Sequence, residues 1–334
     1  MNGRERVFAL LDGQSPDHLP LMPITMMFAA HHIGATYGKY ALDHHLMVEA
    51  QVRTAEDFGF DQVSAITETR EAPDCGAAVQ YFEDQPYALD ESHACLADKQ
   101  DLALLNAPEP DEGEHMRDRL MGLRLMKERV GQEKVIEGWV EGPCQGAADL
   151  RGINALMLDF YDDPDFVKEL FEFVLQLALG FGKAQLEAGA DLIGIGDPAA
   201  SLVGPQLYRD FVWPFEKRLV EGLHAQGGRV RLHICGDARR ILKEIGDLGV
   251  DIVDIDSKVP LAEARQKMGP GQILLGGLDP VRVLQQGTPD QILRVVADCH
   301  RQAGSRYILG AGCEVPPQTP AGNMQALTQY AQSH

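Results

Sequence analysis

One stretch of the chain joins the end of a predicted β-strand to side chains that bind metals. It reads Arg229-Val230-Arg231-Leu232-His233-Ile234-Cys235-Gly236-Asp237. Side chains at positions i and i+2 of a strand point to the same face, so the imidazole of His233 and the thiol of Cys235 project together. Gly236 then ends the strand. The stretch therefore predicts a strand whose carboxyl end carries two soft metal ligands.

A third such ligand follows another apolar run near the end of the chain. Cys313 lies in the segment Gly310-Ala311-Gly312-Cys313-Glu314-Val315-Pro316-Pro317. An isolated His-x-Cys pair is more often a buried histidine beside a small core residue. The third thiol favours a metal site instead, because one histidine and two cysteines leave the fourth position of a tetrahedral zinc open. We predict that His233, Cys235 and Cys313 bind zinc at a catalytic site.

Strands and helices alternate along most of the chain. Apolar runs bounded by turn residues predict strands at 21–28, 60–66, 135–140, 191–196, 229–235, 251–256, 272–277 and 307–312. The segments between them predict helices at 46–58, 109–130, 164–187, 205–226, 238–248, 261–268 and 289–303 and one that begins near 319. This alternation favours a closed (β/α)8 TIM barrel over an open doubly wound sheet. Short alternating pieces between 76 and 105 predict a small hairpin insertion after the second strand, and we expect residues 1–334 to form a single domain.

Carboxylates recur at the carboxyl ends of the predicted strands. They are Glu141, Asp197, Asp256 and Asp279. One aspartate at a strand end is ordinary turn chemistry. In a barrel, however, these ends converge on one mouth, where active sites lie. Their recurrence predicts that they surround the zinc ligands, and Cys144, just beyond Glu141, is a further candidate for a position near the mouth.

Composition excludes several classes of partner. The formal net charge of -20 argues against non-specific binding to nucleic acid or to anionic membranes. No apolar stretch approaches the length of a membrane span, and the amino terminus shows no signal-peptide pattern. The six cysteines are scattered, as in proteins whose thiols stay reduced. We expect a cytoplasmic protein with no nucleic-acid or membrane partner.

Several segments resemble the uroporphyrinogen decarboxylase superfamily along nearly the whole chain. They are Arg4-Glu5-Arg6-Val7, Pro16-Asp17-His18-Leu19-Pro20, Gly196-Asp197-Pro198, the stretch 205–212 and Gly276-Gly277-Leu278-Asp279-Pro280. The resemblance implies a (β/α)8 barrel. Decarboxylases of this family carry an arginine-rich segment after the first strand that grips the porphyrinogen carboxylates, and the corresponding stretch 20–32 contains no arginine. Since arginine is the residue suited to binding carboxylates, we predict that the chain is not a porphyrinogen decarboxylase.

Within this superfamily the chain is similar to the methylcobamide:coenzyme M methyltransferases and their bacterial relatives. That branch carries a His-x-Cys-Gly segment and a late Gly-Cys segment before Pro-Pro, both present here at 233–236 and 312–317. The resemblance implies that His233, Cys235 and Cys313 bind zinc, in agreement with the reading of the residues themselves. Gly277 departs from the pattern, since many members have asparagine there.

The resemblance implies zinc-dependent methyl transfer between a corrinoid, as methylcobalamin or a methyl-corrinoid protein, and a small thiol such as coenzyme M. We expect Glu141 and Asp197 to take part in catalysis, and Asp256, Gly277 and Asp279 to contact the corrinoid. A separate corrinoid protein is the expected partner. Three alternatives remain at this stage: demethylation of a substrate in the reverse direction, transfer to tetrahydrofolate, and a non-catalytic module that binds a corrinoid protein. The intact ligand set disfavours the folate alternative.

Overall fold

The structure, a computed structural model, describes residues 1–68 and 70–334. In chain order its strands are β1 (Gln62–Ser64), β2 (Val79–Gln80), β3 (Ala88–Leu89), β4 (Val135–Glu141), β5 (Leu192–Gly196), β6 (Arg229–His233), β7 (Ile252–Ile255), β8 (Ile273–Gly276) and β9 (Tyr307–Ile308). Seven of these strands form one curled parallel sheet in the order β1-β4-β5-β6-β7-β8-β9. The predicted parallel α/β architecture is therefore confirmed.

Helices join the strands and pack on the sheet. In chain order the α-helices are α1 (Gly3–Leu11), α2 (Met27–His32), α3 (Tyr37–Leu42), α4 (His44–Phe58), α5 (Glu71–Asp74), α6 (Glu114–Val130), α7 (Pro143–Arg151), α8 (Ile153–Asp162), α9 (Pro164–Glu187), α10 (Pro205–Leu207), α11 (Trp213–Ala225), α12 (Leu242–Asp247), α13 (Leu261–Met268), α14 (Pro289–Ala303) and α15 (Ala321–Gln332). Short 3-10 helices lie at Glu91–His93, Lys99–Leu104 and Pro198–Ser201, and π-helical turns at Tyr208–Val212 and Pro280–Gln285. No helix of the described residues is long and apolar enough to cross a membrane.

Local sequence explains where the longest helix begins. The side chain of Asp163 accepts a hydrogen bond from the backbone N–H of Phe166, and Pro164 occupies the first turn of α9. An aspartate cap followed by proline is a favoured helix start, because the cap satisfies a free N–H and proline needs no partner for its nitrogen. The predicted bounds of α9, α13 and α14 coincide with those of the structure.

The register of the sheet sets the positions from which the site is built. Glu141, Gly196, His233 and Asp254 are aligned across the neighbouring strands β4, β5, β6 and β7. Adjacent strands lie about 4.8 Å apart, so these four residues form one row across the sheet. Because all the strands are parallel, the residues that follow them emerge at the same end of the sheet.

Helix α1 covers the opposite end of the sheet, where the strands begin. A small apolar cluster there contains Val7 and Leu10 of α1 together with residues near the strand starts, including Val135, Leu192 and Ile252. Burying these side chains removes apolar surface from water at the end of the sheet away from the row at Glu141. The carboxyl ends of the strands therefore form the end of the sheet that a ligand can reach.

The predicted strand at 21–28 is wrong over most of its length. The backbone of Leu21 forms a parallel bridge with Leu309, and its carbonyl accepts the N–H of Asp61, but Met27–His32 is helical. Pro20 and Pro23 flank this short bridge. Proline has no N–H to donate to a ladder, so the apolar run cannot pair as a long strand.

The segment between β1 and β4 contains short elements. β2 and β3 pair antiparallel, with Val79 opposite Leu89 and Gln80 opposite Ala88. The two 3-10 helices that follow β3 lead to α6. This pairing brings Tyr87, which directly precedes β3, into the buried part of the molecule.

Candidate active site

Three predicted metal ligands meet beyond the ends of β6 and β9. The Nε2 atom of His233 lies 2.9 Å from the Sγ of Cys235 and 3.7 Å from the Sγ of Cys313. The two sulfurs are 3.7 Å apart. All three ligand atoms lie within 4.8 Å of one another. The structure therefore gathers one nitrogen and two sulfur donors at a single point.

This donor set fits a zinc ion. Bonds of about 2.0–2.3 Å at tetrahedral angles place two ligand atoms about 3.5–3.8 Å apart. Both distances that involve Cys313 have this length, and the contact between His233 and Cys235 is shorter. Soft thiolates with one imidazole suit zinc rather than calcium or magnesium, which prefer oxygen ligands. With three protein ligands, one position of a tetrahedral ion is free for a substrate.

Local backbone geometry positions the two thiols. Gly236 has a φ of +91°, and its N–H donates to Oδ2 of Asp256 at 2.8 Å, so the chain turns directly after Cys235. Gly312 precedes Cys313 and lies so close to β7 that an added Cβ would be 2.5 Å from the backbone nitrogen of Ser257. A side chain at either glycine would move a ligand.

A buried charged network stands behind His233. The Nδ1 atom of His233 lies 3.2 Å from Oδ2 of Asp254, an ion-pair distance whose alignment falls short of a hydrogen bond. Arg231 donates to both oxygens of Asp254 at 2.8–3.0 Å and to Glu137 at 2.9 Å. A carboxylate facing Nδ1 favours the tautomer with its proton there and leaves Nε2 free as a ligand.

Electrostatics polarise the three ligands in the absence of metal. Hydrogen bonding from Cys235, aided by His233, lowers the pKa of Cys313 to about 4. The same bond raises the pKa of Cys235. Burial disfavours charge on His233, but Asp254 and Cys313 outweigh it and raise its pKa to about 9. An imidazolium beside a thiolate results, and a bound metal would displace the protons.

A cleft of about 790 Å³ opens beside Cys235. Its lining is rich in carboxylates and contains Glu68, Tyr87, Glu91, Glu141, Gln145, Asp149, Cys235, Asp256 and Lys258 among others. Of the predicted site residues, Glu141, Cys235 and Asp256 line this cleft. A cleft of this size is ordinary for a small-molecule site.

Glu141 lies in the same row across the sheet as His233. An added Cβ on Gly196, the residue between them in the row, would be 3.7 Å from Oε2 of Glu141. The missing side chain of Gly196 leaves space between the carboxylate and the metal ligands. Burial, followed by the negative charges of Asp149 and Glu71, raises the pKa of Glu141 well above its ordinary value. A carboxyl group whose pKa is raised by burial is suited to exchange a proton or a hydrogen bond with a bound molecule.

Asp197 is fully buried and does not line the cleft. Its oxygens accept the backbone N–H groups of Cys144 and Gln145 at the start of α7, at 3.2 and 2.7 Å. Burial raises its pKa to about 7, and the buried carboxyl group of Glu216 lies beside it. These contacts favour a role in holding α7 against β5. Cys144 is likewise completely buried.

Two further predicted residues shape the loop after β8. Asp279 accepts the backbone N–H groups of Val281 and Arg282, and so caps the helical turn that follows. Gly277 has a φ of +82°, and an added Cβ would lie 2.5 Å from the side chain of Leu261. Neither residue is among those that line the cleft. Their predicted contact with a corrinoid stays a prediction.

Sequence reasoning missed several residues around the site. Glu68 lies four residues beyond β1, and the strand-end rule that selected Glu141 would also have selected it. Asp149 lies on α7, eight residues after Glu141. Tyr87 belongs to the segment between β1 and β4, where no regular pattern places a side chain. Asp254 alternates with apolar residues inside β7, so nothing in the sequence marks it as the partner of His233.

Comparison with known proteins gives matches over the whole chain. The profile of the family described as "Uroporphyrinogen decarboxylase (URO-D)" matches residues 2–334. The methylcobamide:CoM methyltransferase MtbA of Methanosarcina mazei is 27% identical over 347 residues, which cover 99% of this chain and 98% of that protein. The methylated-thiol–coenzyme M methyltransferase of the same organism is 30% identical over 189 residues, 56% of this chain and 50% of that protein.

A solved structure supports the same assignment of fold. A methyltransferase from Methanosarcina mazei superimposes with a TM-score of 0.86 at 21% sequence identity. The superposition covers 100% of this chain and 99% of the other. At this identity the match establishes a common fold.

Proposed function

The chain belongs to the uroporphyrinogen decarboxylase family, and from this premise we propose that it is a methyltransferase that moves a methyl group between a corrinoid and a small thiol. The observation that carries the proposal is the meeting of His233, Cys235 and Cys313 within 4.8 Å beside a cleft. Full-length relatives named as methylcobamide:CoM methyltransferases support it. We propose that the metal is zinc.

The chain's residues supply binding and orientation. His233, Cys235 and Cys313 would hold the ion, and Asp254 faces Nδ1 of His233 at 3.2 Å. Bound zinc would lower the pKa of the substrate thiol, so that its sulfur is present as thiolate near neutral pH. A methyl-corrinoid would supply the methyl group and keep the bonding electron pair, while the substrate sulfur would form the new C–S bond and lose its proton through the cleft that Glu141 lines. Glu141 is the carboxyl group proposed for proton exchange at this cleft.

The cleft itself argues against decarboxylation of a porphyrinogen. A substrate with many carboxylates needs arginines or lysines around it. Among the described residues that line the cleft, Lys258 is the one cation, and five residues carry carboxyl groups. The carboxylates of a bound porphyrinogen would therefore face the carboxyl groups of the cleft and be repelled by them. The thiol group of a methyl acceptor carries no carboxylate, so its binding in this cleft meets no such repulsion.

Some finer features are proposed together with this function. We infer that the extended residues 20–22 complete an eight-stranded barrel, since they form backbone hydrogen bonds with residues at both sheet edges, Leu309 and Asp61. The β2–β3 pair is proposed as the hairpin insertion, and the whole chain as one domain. A separate corrinoid protein is the proposed partner, and the cytoplasm the proposed compartment.

Methyl transfer from free methylcobalamin tests the function directly. The protein is incubated with methylcobalamin and a panel of small thiols under anaerobic conditions. Loss of the methylcobalamin absorbance together with formation of the methyl thioether, measured by mass spectrometry, is the expected result. If methylcobalamin is unchanged with every thiol and with zinc present, the proposal is wrong.

A further inference from the structure

Among the described residues, carboxyl groups outnumber cations in the lining of the cleft beside the metal ligands. Its carboxyl groups belong to Glu68, Glu91, Glu141, Asp149 and Asp256. Lys258, the one cation among the described lining residues, is exposed at the rim. A single cation cannot neutralise carboxylates distributed around a cleft of about 790 Å³.

A second observation at the same place points to a ligand. Tyr87 is 7% exposed, and its hydroxyl is shielded from solvent without a hydrogen-bond partner among the described residues. The ring lines the cleft, and carboxylates of Glu68, Glu141 and Asp149 are among the charged groups around the hydroxyl. Buried hydroxyl groups are nearly always paired, so an unpaired one on a residue that lines a cleft is suited to receive a partner from a bound molecule.

The neighbouring arginine does not fill this role. Arg70 lies against the ring of Tyr87, 5.5 Å from its centroid. Its guanidinium donates at 2.6 Å to Oγ1 of Thr67 and at 2.6 Å to the carbonyl of Ala41, outside the cleft. Both oxygens of Glu68 are buried and have no close hydrogen bond within residues 1–68 and 70–334. Burial raises the pKa of Glu68, and the hydroxyl of Tyr37 with the cations Arg70 and Arg119 offsets this only in part.

We propose that the thiol substrate of this enzyme is cationic, with an ammonium group that lies against Glu68, Glu141 and Tyr87 while its sulfur faces His233, Cys235 and Cys313. This inference rests on the proposed methyl transfer. The row Glu141–Gly196–His233 places the two ends of such a molecule about two strand spacings apart, roughly 10 Å between backbone positions, with no side chain between them.

This substrate class differs from that of coenzyme M, whose sulfonate is an anion. An ammonium group donates hydrogen bonds to carboxylates and is attracted to the face of an aromatic ring. A sulfonate at the same place would face carboxylates and raise the free energy of the complex. The described cleft offers it one exposed lysine.

The test compares three thiols of similar size that differ in charge. They are 2-aminoethanethiol, 2-mercaptoethanol and 2-mercaptoethanesulfonate, each with zinc-loaded protein and free methylcobalamin. Rates are expressed per concentration of thiolate, so that differences in thiol acidity are removed. We expect kcat/KM for the aminothiol to exceed that for the hydroxythiol about tenfold, and the sulfonate to be the poorest. A sulfonate that reacts as well as the aminothiol overturns the inference and leaves the methyl transfer proposal intact.

The variant Glu68→Gln tests whether Glu68 causes the preference for the aminothiol over the hydroxythiol. The substitution removes one charge and keeps the size of the side chain, so the ratio of kcat/KM for aminothiol over hydroxythiol should fall severalfold. Glu169→Gln, on an exposed face of α9, removes the same charge away from the cleft and should leave the ratio unchanged. An unchanged ratio in Glu68→Gln overturns the inference.

A binding measurement covers the case in which turnover fails. Calorimetry compares 2-(methylthio)ethylamine with 2-(methylthio)ethanol, and it needs no corrinoid. Tighter binding of the amine, reduced in Glu68→Gln and in Tyr87→Phe, supports the inference. Equal binding of the two compounds overturns it. Absence of methyl transfer to all three thiols would refute the proposed function separately.

Discussion

The two sides of the cleft differ in how completely their polar groups are paired. On the metal side, Arg231 neutralises Asp254 and Glu137, and Asp254 in turn faces His233. On the acidic side, the oxygens of Glu68 and the hydroxyl of Tyr87 are buried without a close hydrogen bond to any residue that the structure describes. Paired groups have fixed positions and suit metal binding, whereas unpaired groups gain most from a ligand. The polar groups of the metal side are therefore held in place before a ligand binds, whereas those of the acidic side would gain hydrogen-bond partners from a substrate.

The largest effect is expected where pairing is most complete. Arg231→Met removes a fully buried cation and leaves Asp254 and Glu137 with uncompensated negative charge. The free energy of unfolding should fall by about 3–5 kcal/mol, measured by urea-induced unfolding.

Arg229→Met is the matched control on the same strand. The side chain of Arg229 is 38% exposed and pairs with Asp12 and Asp251 near the surface. Its loss should cost about 0–1 kcal/mol. Equal losses in the two variants would mean that the buried network does not stabilise the metal side.

Asp197, buried behind the cleft, should make the free energy of unfolding depend on pH. Burial raises the pKa of Asp197 from 3.8 to about 7. The folded protein therefore binds more protons than the unfolded chain in this interval, and the stabilisation present below pH 4 is lost as the pH rises through about 7. Relative to Asp197→Asn, the wild type should lose about 1.4 kcal/mol of unfolding free energy per unit of pKa difference.

The measurement is a series of unfolding curves between pH 4 and 8 for the wild type and Asp197→Asn. Asp162→Asn, an exposed substitution on α8, is the control for the assay. If the curves of wild type and Asp197→Asn stay parallel over the whole series, Asp197 is not protonated by its burial.

Asp254 should determine how tightly the metal is held. Asp254→Asn keeps the shape of the side chain but removes the charge that faces Nδ1 of His233. Zinc affinity should fall about 10–100-fold, measured by competition with a chromophoric chelator. Asp251→Asn, directly before the start of β7, should leave the zinc affinity within twofold. A similar affinity in both variants would exclude a positioning role for Asp254.

The smallest effect is expected from Glu141→Gln. Zinc content should not change, because Glu141 is not one of the three ligands. The kcat/KM for methyl transfer should fall about tenfold if its carboxyl group exchanges a proton in the reaction. Full activity in this variant would remove Glu141 from the catalytic residues and leave it a binding role at most.

Much of the metal side follows from sequence. The spacing of His233 and Cys235 predicts a common face, and parallel strands bring Cys313 to the same edge. The structure brings the three together as predicted. Bounds of helices such as Pro164–Glu187 also follow, because caps and prolines mark their starts.

The sequence predicts the residues of the acidic side less completely, and the reasons are physical. A strand-end residue can turn into the cleft or away from it, and the backbone torsions decide which, as the contrast between Glu141 and Asp197 shows. Tyr87 reaches the cleft through the fold of the segment that contains β2 and β3. Two prolines, Pro20 and Pro23, also override the apolar run that predicts a first strand.

The most direct test of the account is elemental analysis of zinc in the wild type and in Cys313→Ala, with methyl transfer measured on the same samples. Cys299→Ala, a buried cysteine on α14 away from the three ligands, is the control. We predict about one zinc per chain in the wild type and in the control, with little zinc and no transfer in Cys313→Ala. A folded, metal-free wild type that still methylates a thiol would contradict the central claim.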